Sequence, residues 1–118
     1  MGARKEAKEV AEKFSVGGGA IRLSILGLLS KGERCGYEIA KELRETDEAL
    51  DIQFGALYPL LEKLERKGLI EGRWEDGRGQ KGRHVYGLTK TGKKSLASAH
   101  ATWLRVMKSV RTLVGARA

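Results

Sequence analysis

Cysteine and long hydrophobic runs are nearly absent from this 118-residue chain. Its one cysteine, Cys35, permits no disulfide within the chain, which agrees with a reducing cytoplasm. The longest nearly apolar stretch, Ile21 to Leu29, is interrupted by Arg22 and Ser24 and is too short to span a bilayer, so it predicts a buried helix. The N-terminus alternates charges and shows no signal-peptide pattern. We therefore expect a cytoplasmic protein with no membrane partner.

Residues suited to catalysis or metal binding are also scarce. The candidate soft metal ligands are Cys35, His84 and His100, and they do not have the spacing of a zinc site. The sequence contains no phosphate-binding P-loop, no HExxH helix and no nucleophile elbow. Nothing beside Cys35 marks it as a redox switch. The expectation is a protein that is not an enzyme and needs no metal or cofactor.

Acidic residues are missing from the last third of the sequence. Residues 1–76 carry 13 basic and 15 acidic side chains, whereas residues 77–118 carry 10 basic and no acidic ones. The overall charge of +8 is therefore concentrated in one part of the chain. A localised excess predicts an electropositive surface that suits a polyanion such as DNA. For the last helix, the alternative that its basic residues only solvate a surface stays open.

The order of elements between Gln53 and Gly92 is the most informative pattern present. The apolar periodicity predicts a helix that ends at Gly68. The residues that follow predict a strand at Leu69 to Trp74 and its partner strand at Arg83 to Leu88. The glycine-rich, basic segment 76–82 connects the two strands. A helix followed by a basic β-hairpin is typical of a winged helix-turn-helix, which points to double-stranded DNA as the partner.

Helices are predicted on both sides of this segment. The core helices are expected at 20–30, 37–44 and about 53–67, and the third has Leu57, Leu60, Leu61 and Leu64 on one face. Before them, 4–14 favours a helix that glycines 17–19 would end as a hinge. The predicted domains are residues 1–19 (N-terminal helix and glycine hinge), 20–89 (winged helix-turn-helix) and 90–118 (C-terminal helix).

The last helix, with Thr89 as its N-cap, carries apolar positions at heptad spacing. These positions are Leu96, His100, Trp103, Met107, Val110 and Val114. A helix of this length extends past a small winged core, so its apolar stripe needs a partner to bury it. A second copy of the same helix is the simplest partner. The predicted fold is mainly α with a small β-hairpin, a winged helix-turn-helix plus a long C-terminal dimerisation helix.

Several motifs in this order resemble the PadR family of transcriptional regulators, in particular its members with a short C-terminal helix. The motifs are Leu26-Gly27-Leu28-Leu29, Gly36-Tyr37-Glu38-Ile39, Gly55-Ala56-Leu57-Tyr58-Pro59-Leu60-Leu61, Gly68-Leu69-Ile70 and Tyr86-Gly87-Leu88-Thr89-Lys90-Thr91-Gly92. The resemblance implies a dimeric repressor that binds palindromic operators and is released when a small, aromatic effector binds. Two departures stand out: Gln53-Phe54 replaces the usual cap and proline at the entry of the third helix, and the segment before Gly17 is long for the family.

Candidate DNA contacts follow from the winged-helix arrangement, in which the third helix enters the major groove. Gln53 is expected to read a base, since its amide can pair with adenine, and Ala56 shares its face. Phosphate contacts are expected from Tyr37, Tyr58 and Lys63, and from the wing residues Arg78, Lys81 and Arg83. Alternative roles stay open: a polar cap for Gln53, packing for the two tyrosines and a solvated charge for Lys63.

Trp103 has two competing interpretations. A tryptophan on such a seam commonly anchors an interface by packing. By the resemblance, it would instead line an aromatic-binding pore between two subunits, with the small Ala99 leaving room beside it.

The leading function is thus a dimeric, sequence-specific transcriptional regulator. A winged-helix module that binds a protein and no operator is the alternative.

Overall fold

A computed structural model describes residues 18–75 and 82–115 of the chain. Three helices come first: α1 spans Gly18–Ser30, α2 spans Gly36–Thr46 and α3 spans Phe54–Arg66. The two-residue strand β1, Arg34–Cys35, precedes α2, and a single 3-10 turn, Glu48–Leu50, follows it. Strands β2 (Ile70–Trp74) and β3 (His84–Leu88) come next, and the 25-residue helix α4, Lys90–Val114, is the last element.

The predicted fold, mainly helical with a small antiparallel sheet, is confirmed. The core is built from the apolar faces that the periodicity indicated. Its fully buried side chains come from all three short helices and from β2: Ile25, Ile39, Leu43, Leu57, Leu61, Leu64 and Ile70. Leu60 of the predicted α3 stripe is partly buried and packs against this cluster. Each such burial stabilises the fold by about 2 kcal/mol before entropy is subtracted.

The sheet has three strands where the sequence predicted a two-stranded hairpin. The strand order is β1-β3-β2, both pairs antiparallel, with Cys35 opposite Val85 and Trp74 opposite His84. β1 is too short to show any alternation of polar and apolar residues, so only its pairing with β3 reveals it. It connects the sheet to the N-terminus of α2.

The predicted glycine hinge is partly wrong. Gly18 and Gly19 lie within α1, which begins two residues before the expected start at Ala20. Glycine disfavours a helix by about 1 kcal/mol relative to alanine, but tertiary packing of the helix overrides such a local preference. The predicted helix at 4–14 and Gly17 lie outside the described residues.

α3 ends where the sequence indicated. Gly68 adopts a φ of +74°, which is available to glycine at little cost. This turn lets the Leu69 amide donate to the Leu64 carbonyl at 3.0 Å, so a carbonyl that the helix leaves unpaired is satisfied. The chain then reverses directly into β2. This corner places the wing strands beside the C-terminal end of α3.

Candidate nucleic-acid interface

The solvent-facing side of α3 carries the residues predicted to contact DNA. Leu57, Leu61 and Leu64 point into the core, so the opposite side of the helix faces outward. Gln53 at the N-terminus of the helix, and Ala56 and Lys63 along it, are all exposed. An exposed polar residue at the start of the third helix and an exposed small residue and cation along it are suited to the bases and phosphates of a major groove.

Gln53 is the N-cap of α3, but its side chain does not cap the helix. Its backbone carbonyl accepts from the amides of Ala56 and Leu57, each at 2.9 Å, whereas the amide side chain makes no capping hydrogen bond. The alternative that Gln53 is an ordinary polar cap therefore has no support in the structure. Its side-chain donor and acceptor groups remain available for a ligand.

Two tyrosines lie where the N-terminus of α2 meets α3. Tyr37 is 58% exposed, which excludes the alternative that it is a core aromatic. Tyr58 is half-exposed and covers Gly36, where an added β-carbon would lie 2.5 Å from its hydroxyl oxygen. Tyr58 thus combines the two interpretations: it packs against α2 and keeps part of its ring in solvent. Phe54, one turn earlier, stacks on Tyr58 with 6.0 Å between ring centroids.

Arg83, at the base of the wing, is held by two carboxylates. One guanidinium nitrogen donates to Glu75 at 3.0 Å, and the other forms an ion pair with Glu38 in the first turn of α2. The second nitrogen also lies 3.7 Å from the Cys35 sulfur. Arg83 is about half exposed, so solvent reaches this network. A phosphate contact by Arg83 would require it to exchange partners.

The sequence reasoning did not single out Glu38. Its carboxylate accepts from the Cys35 backbone amide at 3.0 Å, the interaction of a capping box. This amide lowers the pKa of Glu38 from its usual 4.5, the Cys35 side chain adds to the effect, and Arg83 contributes further. The Cys-x-x-Glu spacing could have indicated this capping box, but cysteine stands where a serine or threonine is usually expected.

Aromatic rings line one face of the wing strands. His84 lies between Trp74 and Tyr86, with ring centroids 4.5 Å and 4.6 Å away. Gly72 leaves room for the imidazole, because a β-carbon there would lie 2.5 Å from His84 Nε2. Burial raises the pKa of Tyr86 to about 12. The stack fixes the strands that lead to the wing tip, whose predicted contacts Arg78 and Lys81 lie outside the described residues.

The predicted seam on α4 divides into two parts. Leu96 packs against the core of the same chain, a contact that the sequence did not predict, and Trp103 and Met107 are partly buried. His100, Val110 and Val114 are exposed. Further exposed apolar side chains on the same half of the helix are Leu104, Val106 and Leu113. The free apolar surface therefore begins about two turns after the N-terminus of the predicted seam.

Trp103 borders a cavity of about 270 Å³ that is formed by this chain alone. α1 and the 3-10 turn supply the rest of its wall: Ala20, Leu23, Ser24, Asp47, Ala49 and Leu50. Ala99, predicted to line a ligand site beside Trp103, is exposed and is not part of this wall. The cavity joins the core helices to α4, so a molecule bound there would contact both.

Within residues 18–75 and 82–115, no cluster of three or more histidine, cysteine or acidic side chains is arranged to hold a metal ion. In the same part of the chain, no helix has the length and apolar character needed to cross a membrane.

Three helices, a β-hairpin and an exposed third helix define a winged helix-turn-helix protein. Comparison with known proteins identifies the family. The sequence model of the transcriptional regulator PadR-like family matches residues 25–98. The negative transcriptional regulator PadR of Bacillus subtilis strain 168 is 34% identical over 77 residues, a match that spans 64% of this chain and 42% of that protein. An uncharacterized protein of Lysinibacillus sphaericus is 31% identical over 87 residues, 73% of this chain and 80% of that protein.

Solved structures agree with this assignment. A transcriptional regulator from Clostridium thermocellum superposes with a TM-score of 0.72 at 31% identity, over 81% of this chain and 94% of that chain. A PadR family transcription regulator from Clostridium difficile R20291 has a TM-score of 0.68 at 34% identity, over 80% and 96% of the two chains. The chain belongs to the PadR-like family of transcriptional regulators.

Proposed function

We propose that this regulator is a homodimer that binds a palindromic operator, represses transcription from it and is released by a small aromatic effector. In this proposal, α3 of each subunit enters the major groove and the wing contacts the adjoining backbone. The proposal is carried by one observation: the outer face of α3 is exposed, and the Gln53 side chain at its N-terminus makes no capping hydrogen bond. Residues 77–118 carry basic and no acidic side chains, which also supports DNA as the partner.

Dimerisation is supported by the second half of α4. Four exposed large apolar side chains, Val106, Val110, Leu113 and Val114, are spaced i, i+4, i+7 and i+8, so they share one face of the helix, and they are 38–85% exposed. A stripe of this kind on a surface helix is suited to a matching stripe, and a second copy supplies one by twofold symmetry. Two half-sites one helical turn apart, about 34 Å, would then contact both copies of α3.

Effector release is supported by the position of the Trp103 cavity. Its walls come from α1, from the 3-10 turn before α3 and from α4. A planar molecule against Trp103 would press on the segment that leads into α3 and on the dimerisation helix together. Binding that favours one relative position of these elements over another would change affinity for the operator.

A salt titration of binding tests the proposal. The full chain is titrated onto a duplex from upstream of its own gene and onto a scrambled duplex of equal length, with its mass in solution measured in parallel. A dimer that prefers the upstream duplex, with affinity falling steeply as salt rises, is the expected result. A monomer, or equal binding to both duplexes, would overturn the proposal and favour protein docking or non-specific DNA binding.

A further inference from the structure

Exposed large apolar side chains of the described residues fall into two groups. One group covers the second half of α4, and the other consists of Tyr37, Phe54 and Tyr58 around the N-terminus of α3. The first group has an explanation in dimerisation. In the second, the tyrosines have hydroxyl groups that can donate to phosphate, but Phe54 has no polar atom.

Phe54 is the first residue of α3 and follows Gln53, the candidate base reader. Its side chain is 47% exposed. One side of the ring stacks on Tyr58 at 6.0 Å, with 27° between the ring planes. This contact restricts the ring before any ligand arrives, which lowers the side-chain entropy lost on binding. Gly55 and Ala56, which come next, are small and exposed, so the helix can approach a surface closely at this turn.

We infer that Phe54 reads the 5-methyl group of a thymine in the operator, an inference that depends on the proposed function. The first turn of the third helix is the part that reaches the base edges in a major groove. Of the groups displayed there, the thymine methyl is the apolar one, and a phenylalanine ring suits it. Gln53 beside it suits adenine, so the two residues together select an A·T pair or two adjacent ones.

Deoxyuridine provides the test, because it removes the thymine methyl and leaves every hydrogen-bonding group of the base pair unchanged. A duplex preferred by the full-length protein is first selected from a random pool. Each thymine is then replaced in turn by deoxyuridine, and affinity is measured at constant salt. We expect one thymine per half-site to show a loss of about fourfold, the factor that corresponds to burial of one methyl group.

Variants assign this loss to a residue. In Phe54→Ala, the thymine and deoxyuridine duplexes should bind equally at that position. Pro59→Ala is the matched control, because Pro59 is another exposed apolar residue of α3 that is not one of the proposed DNA contacts, and it should keep the full loss. Phe54→Gln, which keeps length but removes the apolar ring, should behave like Phe54→Ala. Thermal unfolding of each variant identifies any that is not folded.

The outcomes separate the two levels of the inference. A wild-type protein that selects no duplex would overturn the proposed function and this inference with it. A selective protein that is indifferent to every deoxyuridine would overturn only the role of Phe54. That role is also excluded if the loss persists in Phe54→Ala and Phe54→Gln, or if it disappears in Pro59→Ala alone.

Discussion

Gly92, in the first turn of α4, lies so close to the Leu69 carbonyl that a β-carbon on it would be 2.0 Å from that oxygen. Thr89 completes this junction. Its hydroxyl donates to the Gly68 carbonyl at 2.6 Å and accepts from the Gly92 amide at 2.9 Å, while its own amide donates to Leu69 at 3.1 Å. The N-terminus of α4 is therefore fixed to the corner where α3 turns into β2. A tilt of α4 would therefore act directly on the C-terminal end of α3.

Gly92→Ala should lower the free energy of unfolding by about 3 kcal/mol, since the new methyl group would collide with backbone and not with a side chain that can rotate away. Chemical denaturation measures the change. Gly27→Ala in α1 is the control, because a β-carbon there meets nothing within 4 Å. It should stabilise the protein by about 0.5–1 kcal/mol through helix propensity. Equal effects of the two substitutions would contradict the close approach.

Tyr86 should make stability fall in strongly alkaline solution. Burial raises its pKa from 10.0 to about 12, so the folded protein binds this proton more tightly than the unfolded chain does. The stabilisation is fully present below pH 10 and is lost as the pH rises toward 12. Absorbance of tyrosinate against pH should contain a step near 12 that Tyr86→Phe removes. A wild-type titration complete below about pH 11 would contradict this prediction.

Local patterns predicted α2 and α3 well because each of these two helices buries a periodic apolar face, as Leu57, Leu61 and Leu64 do in α3. β1 could not be predicted, since its two residues are a strand only through their pairing with β3. The partners of Arg83 were equally hidden, because Glu38 lies 45 residues away in sequence. The sequence position of Leu96 agrees equally well with a heptad contact to a second helix and with packing on the core. Only the three-dimensional structure shows that it packs on the core.

Base reading and phosphate binding should separate by mutation. Gln53→Ala should reduce the preference for operator over random DNA and leave random binding unchanged, because its amide would contact bases. Arg78→Ala and Lys81→Ala should weaken both kinds of binding, and each phosphate that is no longer neutralised should lower the salt slope by about 0.9. Affinities for both duplexes over a series of salt concentrations measure this. Equal losses on both duplexes for all three variants would refute the division.

Trp103 and the cavity beside it predict how an aromatic molecule would bind. A planar aromatic dye should quench Trp103 fluorescence, which Trp74→Phe isolates by removing the other tryptophan. Ser24→Leu fills the cavity beside Trp103 and should weaken dye binding about tenfold or more, whereas Ala99→Leu, on the exposed surface, should not. If Ala99→Leu weakened dye binding and Ser24→Leu did not, the ligand would lie between subunits. If quenching persisted in Trp103→Ala, where Trp74 is the remaining tryptophan, Trp103 would be excluded as the site.

Glu38→Gln should raise affinity for every duplex, operator or random. Glu38 and Glu75 neutralise Arg83 in the structure, and the lowered pKa of Glu38 keeps it ionised at neutral pH. Removing its charge leaves Arg83 freer for phosphate, so affinity should increase about threefold or more, and the salt slope should steepen by up to about 0.9.

Glu33→Gln is the control for this change, because it removes the same charge from an equally exposed pair with Arg73. It should raise affinity less than Glu38→Gln does. Arg83→Ala should cancel the gain when combined with Glu38→Gln, since the gain acts through that guanidinium. A different result would be that Glu38→Gln lowers stability and leaves DNA affinity unchanged, whether or not Arg83→Ala is also present. Arg83 would then be a structural residue that links the wing to α2, and the phosphate contacts would belong to Arg78 and Lys81.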